Sequence, residues 1–404
     1  MKRPRRGAIL LLIGSVCVAL LIVEVALRIA GFSFQTFDML DRERGLALRP
    51  GAEGWWRREG EAYVRINKDG LRDRDHQKPK PPNTVRVAVL GDSYAEALQV
   101  SLDEAFWAVM GRQLSACEAF GGRNVEVINF GVSGYQTAQE LVTLRRHVWD
   151  YSPDIVLLAV TTANDIRDNS SRLAPYPYAP SGVYREGALV LDGSAMERRN
   201  ESFSFRLRQS ALGKAFYWTR DHSRVIQLSD KVRFALQHSE ARKQTRQHGQ
   251  GDGREGEEVG LDANVYREPN DPLWHDAWRI TEGLIVLMRD EVKGRGASFF
   301  VVTLSNSIQV NPDRALRQRF MNQLGVTDLF YPDKRLKTLG KRDHIPVFNL
   351  APLLQSYADQ TGVSLHGFAR QPGRGHWNSV GHRVAGQLIA QQLCKESAGA
   401  LGGG

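Results

Sequence analysis

The chain has 404 residues, of which 42% are hydrophobic and 25% charged, as in average soluble globular proteins. This composition excludes a collagen-like chain, a wholly disordered chain and a protein made mostly of membrane spans. The net charge of +9 suggests an acidic polymer, a nucleic acid or a membrane surface as partner, so its location along the chain matters. Three cysteines exclude a disulfide framework and an obvious zinc site, and we predict neither a metal nor a cofactor.

The first thirty residues have the pattern of a membrane anchor. Four basic residues precede an uncharged apolar run from Ala8 to Val23, and Glu24 follows it. The run is slightly shorter than the ~20 residues of a typical span. The basic residues before it predict that the N-terminus lies on the cytoplasmic side of the membrane. A cleaved signal peptide is the alternative. We expect residues 1–30 to anchor a single-pass inner-membrane protein whose bulk is periplasmic or extracellular.

Beyond the anchor, strand-like and helical patterns alternate. Residues 31–83 are expected to form an extension that ends in a proline-rich linker, followed by a domain built from residues 84–170 and 272–396 and by a flexible tail, 397–404. The predicted strands are Val85–Leu90, Val125–Phe130, Ile155–Val160, Ser298–Leu304 and Ile345–Leu350. The predicted helices are Asp103–Cys117, Thr137–Asp150, Asp276–Lys293, Ala351–Asp359 and Ser379–Cys394. This alternation predicts an α/β fold with a doubly wound, flavodoxin-like parallel sheet of five strands.

Residues 171–271 are too many for a simple crossover and are predicted to be an insertion. A hairpin is possible at Val183–Asp192, Phe203–Gln237 has a helical pattern, and a polar stretch around 238–260 is expected to be disordered. Glu201–Arg246 has ten basic and four acidic residues, so its charge of +6 exceeds the +5 of the whole chain after residue 30. Two interpretations remain: a basic amphipathic lid on anionic lipid or an acidic glycan, or a solvated helix packed on the domain. Export makes a nucleic-acid partner unexpected.

Four polar or glycine residues lie where the chemistry of such a sheet is expected, beyond the carboxyl ends of the strands. Ser93, Gly131 and Asn164 follow the first three predicted strands, and His376 precedes the last helix. Taken singly, they also suit a helix cap, a turn glycine, a turn asparagine and a structural histidine. Together they supply a nucleophile, oxyanion donors and a general base.

In this order, the blocks Gly91-Asp92-Ser93, Gly131, Asn164-Asp165 and His376 resemble the SGNH (GDSL-type) hydrolase family, in its membrane-anchored bacterial form. The resemblance implies that Ser93 attacks an ester carbonyl and that His376 removes its proton. It also implies an oxyanion hole made by the amides of Ser93 and Gly131 and the side chain of Asn164.

The activity implied by the resemblance is that of a serine esterase cleaving an O-acyl group, with acetyl expected, from a carbohydrate or a small ester. One alternative is an O-acetyltransferase that acts on an envelope or exported polysaccharide. Another is a catalytically degenerate binding or assembly module. The oligomeric state is not predicted.

The sequence departs from the family at the acid of the triad. The family has an aspartate three residues before the histidine, where this chain has Gly373. Three explanations are open: a backbone carbonyl orients His376, an acid such as Asp343 or Asp359 reaches in from elsewhere, or the enzyme is weak or inactive. The acid is therefore unknown from the sequence.

Four further residues have open roles. His382 is a rival base, although its position inside the last helix points it away from the crevice. His366 could line a substrate pocket or simply pack. Cys117 and Cys394 end the first and last predicted helices of the sheet domain, which lie side by side in a flavodoxin-like order. They are either a disulfide, which an exported domain permits, or two free thiols.

Overall fold

The computed structural model describes residues 6–162, 164–174, 179–247, 262–369 and 371–401. Within these ranges the strands are β1 (Asp38–Asp41), β2 (Gly45–Leu48), β3 (Glu53–Trp56), β4 (Ala62–Arg65), β5 (Thr84–Leu90), β6 (Asn124–Asn129), β7 (Ile155–Thr161), β8 (Ser181–Arg185), β9 (Ala188–Asp192), β10 (Ser298–Leu304) and β11 (Val347–Asn349). The helices are α1 (Arg6–Ile29), α2 (Ser93–Glu96), α3 (Phe106–Leu114), α4 (Thr137–Arg146), α5 (Asp165–Asp168), α6 (Ser194–Glu201), α7 (Phe203–Gln209), α8 (Ala211–His222), α9 (Arg224–Gln247), α10 (Pro272–Gly294), α11 (Arg314–Leu324), α12 (Tyr331–Arg342), α13 (Ala351–Thr361) and α14 (Ser379–Leu401).

The centre of the molecule is a parallel sheet with the strand order β11-β10-β7-β5-β6. Every residue of β5 and β7 is buried, because helices cover both faces of the sheet. One core contains residues of α4, α10 and α12, and the opposite core contains residues of α3, α13 and α14. The predicted α/β class and the flavodoxin-like order are confirmed.

The first and last helices around the sheet, α3 and α14, pack side by side. Because α3 and α14 pack together, Cys117 and Cys394 form a disulfide with a Cα–Cα distance of 5.9 Å. The sequence left this pairing open. The strand order explains the pairing, because it makes neighbours of two helices that are far apart along the chain.

The insertion and the C-terminus contain more helix than the sequence predicted. Helix α9 continues to Gln247, although disorder was expected from residue 238; residues 248–261 lie outside the described part of the chain. Similarly, α14 continues to Leu401 into the expected tail. Polar residues such as Glu, Lys, Arg and Gln are good helix formers, which agrees with the helical backbone of these polar stretches. The single helical pattern of Phe203–Gln237 is divided into α7, α8 and α9, and the breaks lie at Ser210 and Ser223.

The N-terminal helix contains an apolar stretch, Gly7–Ile29, with a hydropathy of 2.8 in its most apolar window. By length and composition this stretch is able to cross a membrane, and that window is not covered by the rest of the protein. Its far end contacts the insertion. Glu24 accepts hydrogen bonds from Ser223 Oγ (3.1 Å) and from the Val225 amide (3.0 Å), and Arg28 donates to the carbonyl of His222.

Residues 31–83 form two antiparallel hairpins, β1–β2 and β3–β4. They share a small core with Val132 and Tyr135, which follow β6, so the extension packs at the carboxyl edge of the central sheet. The loop 57–61 between β3 and β4 reaches that edge. Gly60 has a φ of +68°, and a Cβ there would lie 2.3 Å from the carbonyl oxygen of Gln99, so the loop can approach this closely only with glycine.

Candidate active site

Two of the sequence-predicted residues meet at the carboxyl edge of the sheet. Ser93 begins α2 directly after β5, and His376 lies in the loop before α14. The Nε2 atom of His376 lies 2.8 Å from Ser93 Oγ, which is hydrogen-bonding distance. Although the two residues are 283 positions apart, the geometry is that of a serine hydroxyl and its general base.

The third partner is Glu59, which sequence reasoning missed. Its Oε2 lies 2.6 Å from His376 Nδ1, and its Oε1 accepts the backbone amide of His376 at 2.7 Å. One carboxylate therefore holds both the ring and the main chain of the histidine. An acid on Nδ1 leaves Nε2 free to accept a proton from Ser93 and stabilises the imidazolium that forms.

The two acids weighed from the sequence lie elsewhere. Asp343 pairs with Arg342 at 2.8 Å, and Asp359 pairs with Arg317 at 2.9 Å. The sequence contained no local signal for Glu59, because the residue lies 317 positions before His376 in a hairpin loop outside the sheet domain.

A glycine next to the histidine makes room for this acid. Gly375 has a φ of +83°, and a Cβ there would lie 2.1 Å from Glu59 Oε1. Any side chain at this position would push the carboxylate away from His376. Gly373, where the family has its aspartate, also has a positive φ of +77°, but a Cβ there would face Asn311 instead.

The loop that carries Glu59 is held by a cation–aromatic cluster. The guanidinium of Arg58 lies 4.1 Å from the ring centre of Phe34, 4.8 Å from Trp56 and 5.1 Å from Phe234. Arg58 also donates to the carbonyl of Gln35 at 3.2 Å. The segment after α1, the hairpin and α9 thus meet on one side chain, one residue before the acid.

Electrostatics favour an ionised Glu59. Burial raises its pKa, but hydrogen bonds and charge from His376 act in the opposite direction, and the net pKa is lower than that of an ordinary glutamate. A carboxylate with a lowered pKa stays charged across the neutral range, as a histidine-orienting group must.

Asn164, expected in the oxyanion hole, is joined to the residue beside the nucleophile. Its Nδ2 donates to Asp92 Oδ2 at 3.1 Å, and Asp92 also accepts the Tyr94 amide at 3.0 Å as the cap of α2. An amide nitrogen has two hydrogens, so one donor of Asn164 remains for a substrate oxygen. Burial raises the pKa of Asp92, although the hydrogen bonds from Tyr94 and Asn164 oppose this.

Gly131 has a structural reason to be glycine. A Cβ there would lie 2.4 Å from the Cβ of Ala95, so β6 and α2 could not approach as they do. Its amide donates to Asn129 Oδ1 at 3.0 Å. To bind an oxyanion, this amide must exchange that acceptor, whereas the Ser93 amide is the first of a helix and has no acceptor within the helix.

The two other histidines considered from the sequence, His366 and His382, are both buried. His366 bridges Ser305 Oγ (3.1 Å) and the carbonyl of Gly375 (2.7 Å), and burial lowers its pKa to about 4. It therefore supports the loop of His376 as a neutral side chain. His382, the rival base, accepts the Phe106 amide at 3.2 Å, and burial lowers its pKa to about 3. His382 is therefore a buried, neutral side chain that binds the start of α3.

No family model and no curated protein matches the sequence. Similar solved structures include a lipolytic protein of the G-D-S-L family from Desulfitobacterium hafniense, with 10% identity, a TM-score of 0.33 and coverage of 76% of this chain and 98% of that one. They also include an acetylxylan esterase from Geobacillus stearothermophilus, with 12% identity, a TM-score of 0.36 and coverage of 80% and 96%. A third is an acylhydrolase from Bacteroides fragilis, with 16% identity, a TM-score of 0.34 and coverage of 80% and 92%.

Proposed function

We propose that this chain is a serine esterase in which Ser93 is the nucleophile, His376 the general base and Glu59 the acid that orients the base. The observation that carries the proposal is the continuous contact from Ser93 Oγ to His376 Nε2 and from His376 Nδ1 to Glu59 Oε2, at 2.8 and 2.6 Å. The absence of an aspartate at position 373 favoured an inactive module. In our proposal, Glu59 takes the place of that aspartate as the carboxylate partner of His376.

In the proposed mechanism, Ser93 Oγ attacks the ester carbonyl while His376 Nε2 takes its proton. The imidazolium then protonates the leaving alcohol, and an acyl-enzyme remains. A water molecule gives a proton to His376 Nε2 as its oxygen attacks the acyl group, and His376 returns the proton to Ser93 Oγ as the acyl–Oγ bond breaks and the acid is released. The amides of Ser93 and Gly131 and the Nδ2 of Asn164 hold the oxyanion, and each such donor typically lowers the barrier by ~3 kcal/mol.

We further propose that α1 anchors the enzyme in the membrane and that the catalytic domain lies outside the cytoplasm. The Cys117–Cys394 disulfide supports an oxidising compartment, since such bonds are rare in the cytosol. The contacts of Glu24 and Arg28 with the insertion support retention of α1, because a cleaved signal peptide would leave these partners behind. An O-acetylated carbohydrate is the substrate to test first.

The deciding experiment is labelling with a fluorescent phosphonate that reacts with activated serines. We expect the full-length protein to be labelled and Ser93→Ala to be unlabelled. Labelling that persists in Ser93→Ala, or no labelling and no hydrolysis of p-nitrophenyl acetate by the folded wild type, would contradict the proposal. A matched control is Ser101→Ala, because Ser101 binds Glu104 at the surface.

A further inference from the structure

Helices α7 and α8 expose large apolar side chains to solvent. The set is Phe203, Leu207, Leu212, Phe216 and Trp218, with exposed fractions from 42% for Leu207 to 74% for Phe203. Phe203 and Leu207 are four residues apart, as are Leu212 and Phe216, so each pair shares one helix face. Trp218 lies about 160° around α8 from Phe216, and its ring stacks on that of His222 with the ring centres 4.4 Å apart. Single exposed apolar residues are ordinary on a soluble protein, but a group of five on two consecutive helices indicates an interaction surface. We call these five residues the α7–α8 surface.

The orientation of this surface is fixed from behind. Phe205, on the opposite side of α7, is buried. On α8, Asp221 forms an ion pair with Arg49 at 2.5 Å, and the Tyr217 ring packs 4.9 Å from the same guanidinium. The helices therefore cannot turn to bury their apolar face without breaking these contacts.

The end of α8 is held at one level of the apolar helix α1. Arg28 of α1 donates to the carbonyl of His222, the last residue of α8, and Glu24 binds Ser223 and Val225 just after it. The uncharged run of α1 stops one residue before Glu24. Sixteen helical residues span about 24 Å, less than the ~30 Å of a hydrocarbon core. If α1 spans a bilayer, the end of α8 thus lies near the boundary between acyl chains and headgroups.

The charge of these helices suits an anionic surface. Residues 203–222 contain four arginines or lysines and one aspartate, a net charge of +3 with histidine neutral. Arg206, Arg208 and Lys214 are exposed on the same two helices. Basic residues around apolar and tryptophan side chains are the pattern of a helix that lies in the membrane interface.

We propose that the α7–α8 surface inserts into the headgroup region of the leaflet from which α1 emerges, with anionic lipid as its preferred partner. This inference rests on the anchoring of α1 proposed above. The surface adds a second attachment to the one made by α1, and the two together fix the orientation of the catalytic domain relative to the bilayer.

The test uses full-length protein reconstituted in vesicles of phosphatidylcholine and phosphatidylglycerol. Lipids brominated near the glycerol end of their acyl chains quench tryptophans that lie at that depth. We expect Trp218→Phe to lose most of the lipid-dependent quenching seen in the wild type. The matched control is Trp149→Phe, since Trp149 precedes the amino end of β7, at the edge of the sheet opposite the extension, and its removal should leave the quenching unchanged.

Two results would overturn the proposal. Equal lipid-dependent quenching in wild type and Trp218→Phe would place Trp218 outside the bilayer. Protection of Trp218 from aqueous iodide without quenching by brominated lipid would mean that protein, such as a second copy of the chain, covers it. Replacing Arg206 and Arg208 by glutamine should weaken the quenching in vesicles with phosphatidylglycerol and leave it unchanged in vesicles without it.

Failure of this proposal can be told from failure of the proposed function. Vesicle flotation after carbonate extraction reports anchoring by α1 independently of Trp218. Phosphonate labelling of the same samples reports Ser93. Both should remain as in the wild type in Trp218→Phe.

Discussion

The three members of the candidate triad come from two regions of different construction. Ser93 and His376 lie at the edge of the central sheet, beside strands that are wholly buried. Glu59 lies on a five-residue loop between two four-residue strands whose burial alternates. The sheet region holds Ser93 and His376 through its core, whereas the extension holds Glu59 through a few specific contacts. Changes in the extension should therefore impair catalysis while leaving the sheet domain folded.

The largest expected effect in this comparison is that of Glu59→Gln. Without a carboxylate on Nδ1, His376 loses its preferred tautomer and the partner of its charged form. We expect kcat/KM for p-nitrophenyl acetate to fall about 10³–10⁴-fold, and the acid limb of its pH profile to move to lower pH. The sheet domain should stay folded, because Glu59 lies outside the main cores. The unfolding temperature at neutral pH should fall modestly, because the lowered pKa of Glu59 stabilises the fold there.

Two variants sharpen this result. Glu59→Asp should restore part of the activity, since it keeps the charge but shortens the reach. Glu61→Gln, at an exposed glutamate that pairs with Arg57 in the same loop, should be as active as the wild type. Full activity of Glu59→Gln would show that the sheet region works alone as a Ser–His dyad.

The next largest effect is that of Gly375→Ala, which disrupts the contact between Glu59 and His376 from the sheet region. The added methyl group would lie 2.1 Å from Glu59 Oε1 and displace it. We expect a loss of about 10²–10³-fold in kcat/KM, and little additional loss when the change is combined with Glu59→Gln. Gly373→Ala carries the same backbone strain without facing Glu59, so it is the control for strain. If the two alanine variants lose equal activity, contact with Glu59 is not the cause.

A smaller effect is expected for Arg58→Ala, which loosens the loop without touching the triad. The variant removes the cation–aromatic contacts with Phe34, Trp56 and Phe234. Such contacts contribute about 0.5–2 kcal/mol each, so we expect a loss of roughly tenfold in kcat with KM nearly unchanged. Arg57→Ala, one residue earlier, is the matched control. Equal activity of Arg58→Ala and wild type would mean that the hairpin alone positions Glu59.

The smallest effect on activity, with a clear effect on stability, concerns Glu96 at the border of the two regions. Burial raises its pKa to about 7, with hydrogen bonds from Ser133 opposing and the charge of Asp38 adding to the rise. The folded state therefore binds more protons than the unfolded state between pH 4.5 and about 7, so the free energy of unfolding falls as pH rises through this window.

Glu96→Gln should remove this decline, which amounts to about 3 kcal/mol. Denaturant unfolding at pH 5 and pH 8 measures it in both proteins. The contribution of Glu59 has the opposite sign. Because its pKa is lowered in the fold, Glu59 stabilises the folded state at pH values above the pKa of an ordinary glutamate, and this stabilisation is lost on acidification. An unchanged pH dependence in Glu96→Gln would place the titrating group elsewhere.

Much of the sheet region was determined by the sequence alone. Runs of β-branched residues alternating with amphipathic helices predicted all five central strands, and the order of Ser93, Gly131, Asn164 and His376 placed them at one edge. These predictions succeed because a buried parallel strand needs a continuous apolar run and because parallel strands end at a common edge. Local patterns therefore carry the information.

Only the tertiary structure showed the contact between Glu59 and His376, the disulfide, and the contacts of the insertion with α1. Glu59 contacts a residue 317 positions away, and nothing in its neighbours along the chain indicates where its loop docks. The loop reaches His376 only because Gly60 and Gly375 leave space, a steric fact that depends on distant atoms. Contacts between regions remote in sequence are set by the packing of whole elements, so local patterns indicated His376 but not the carboxylate that contacts it.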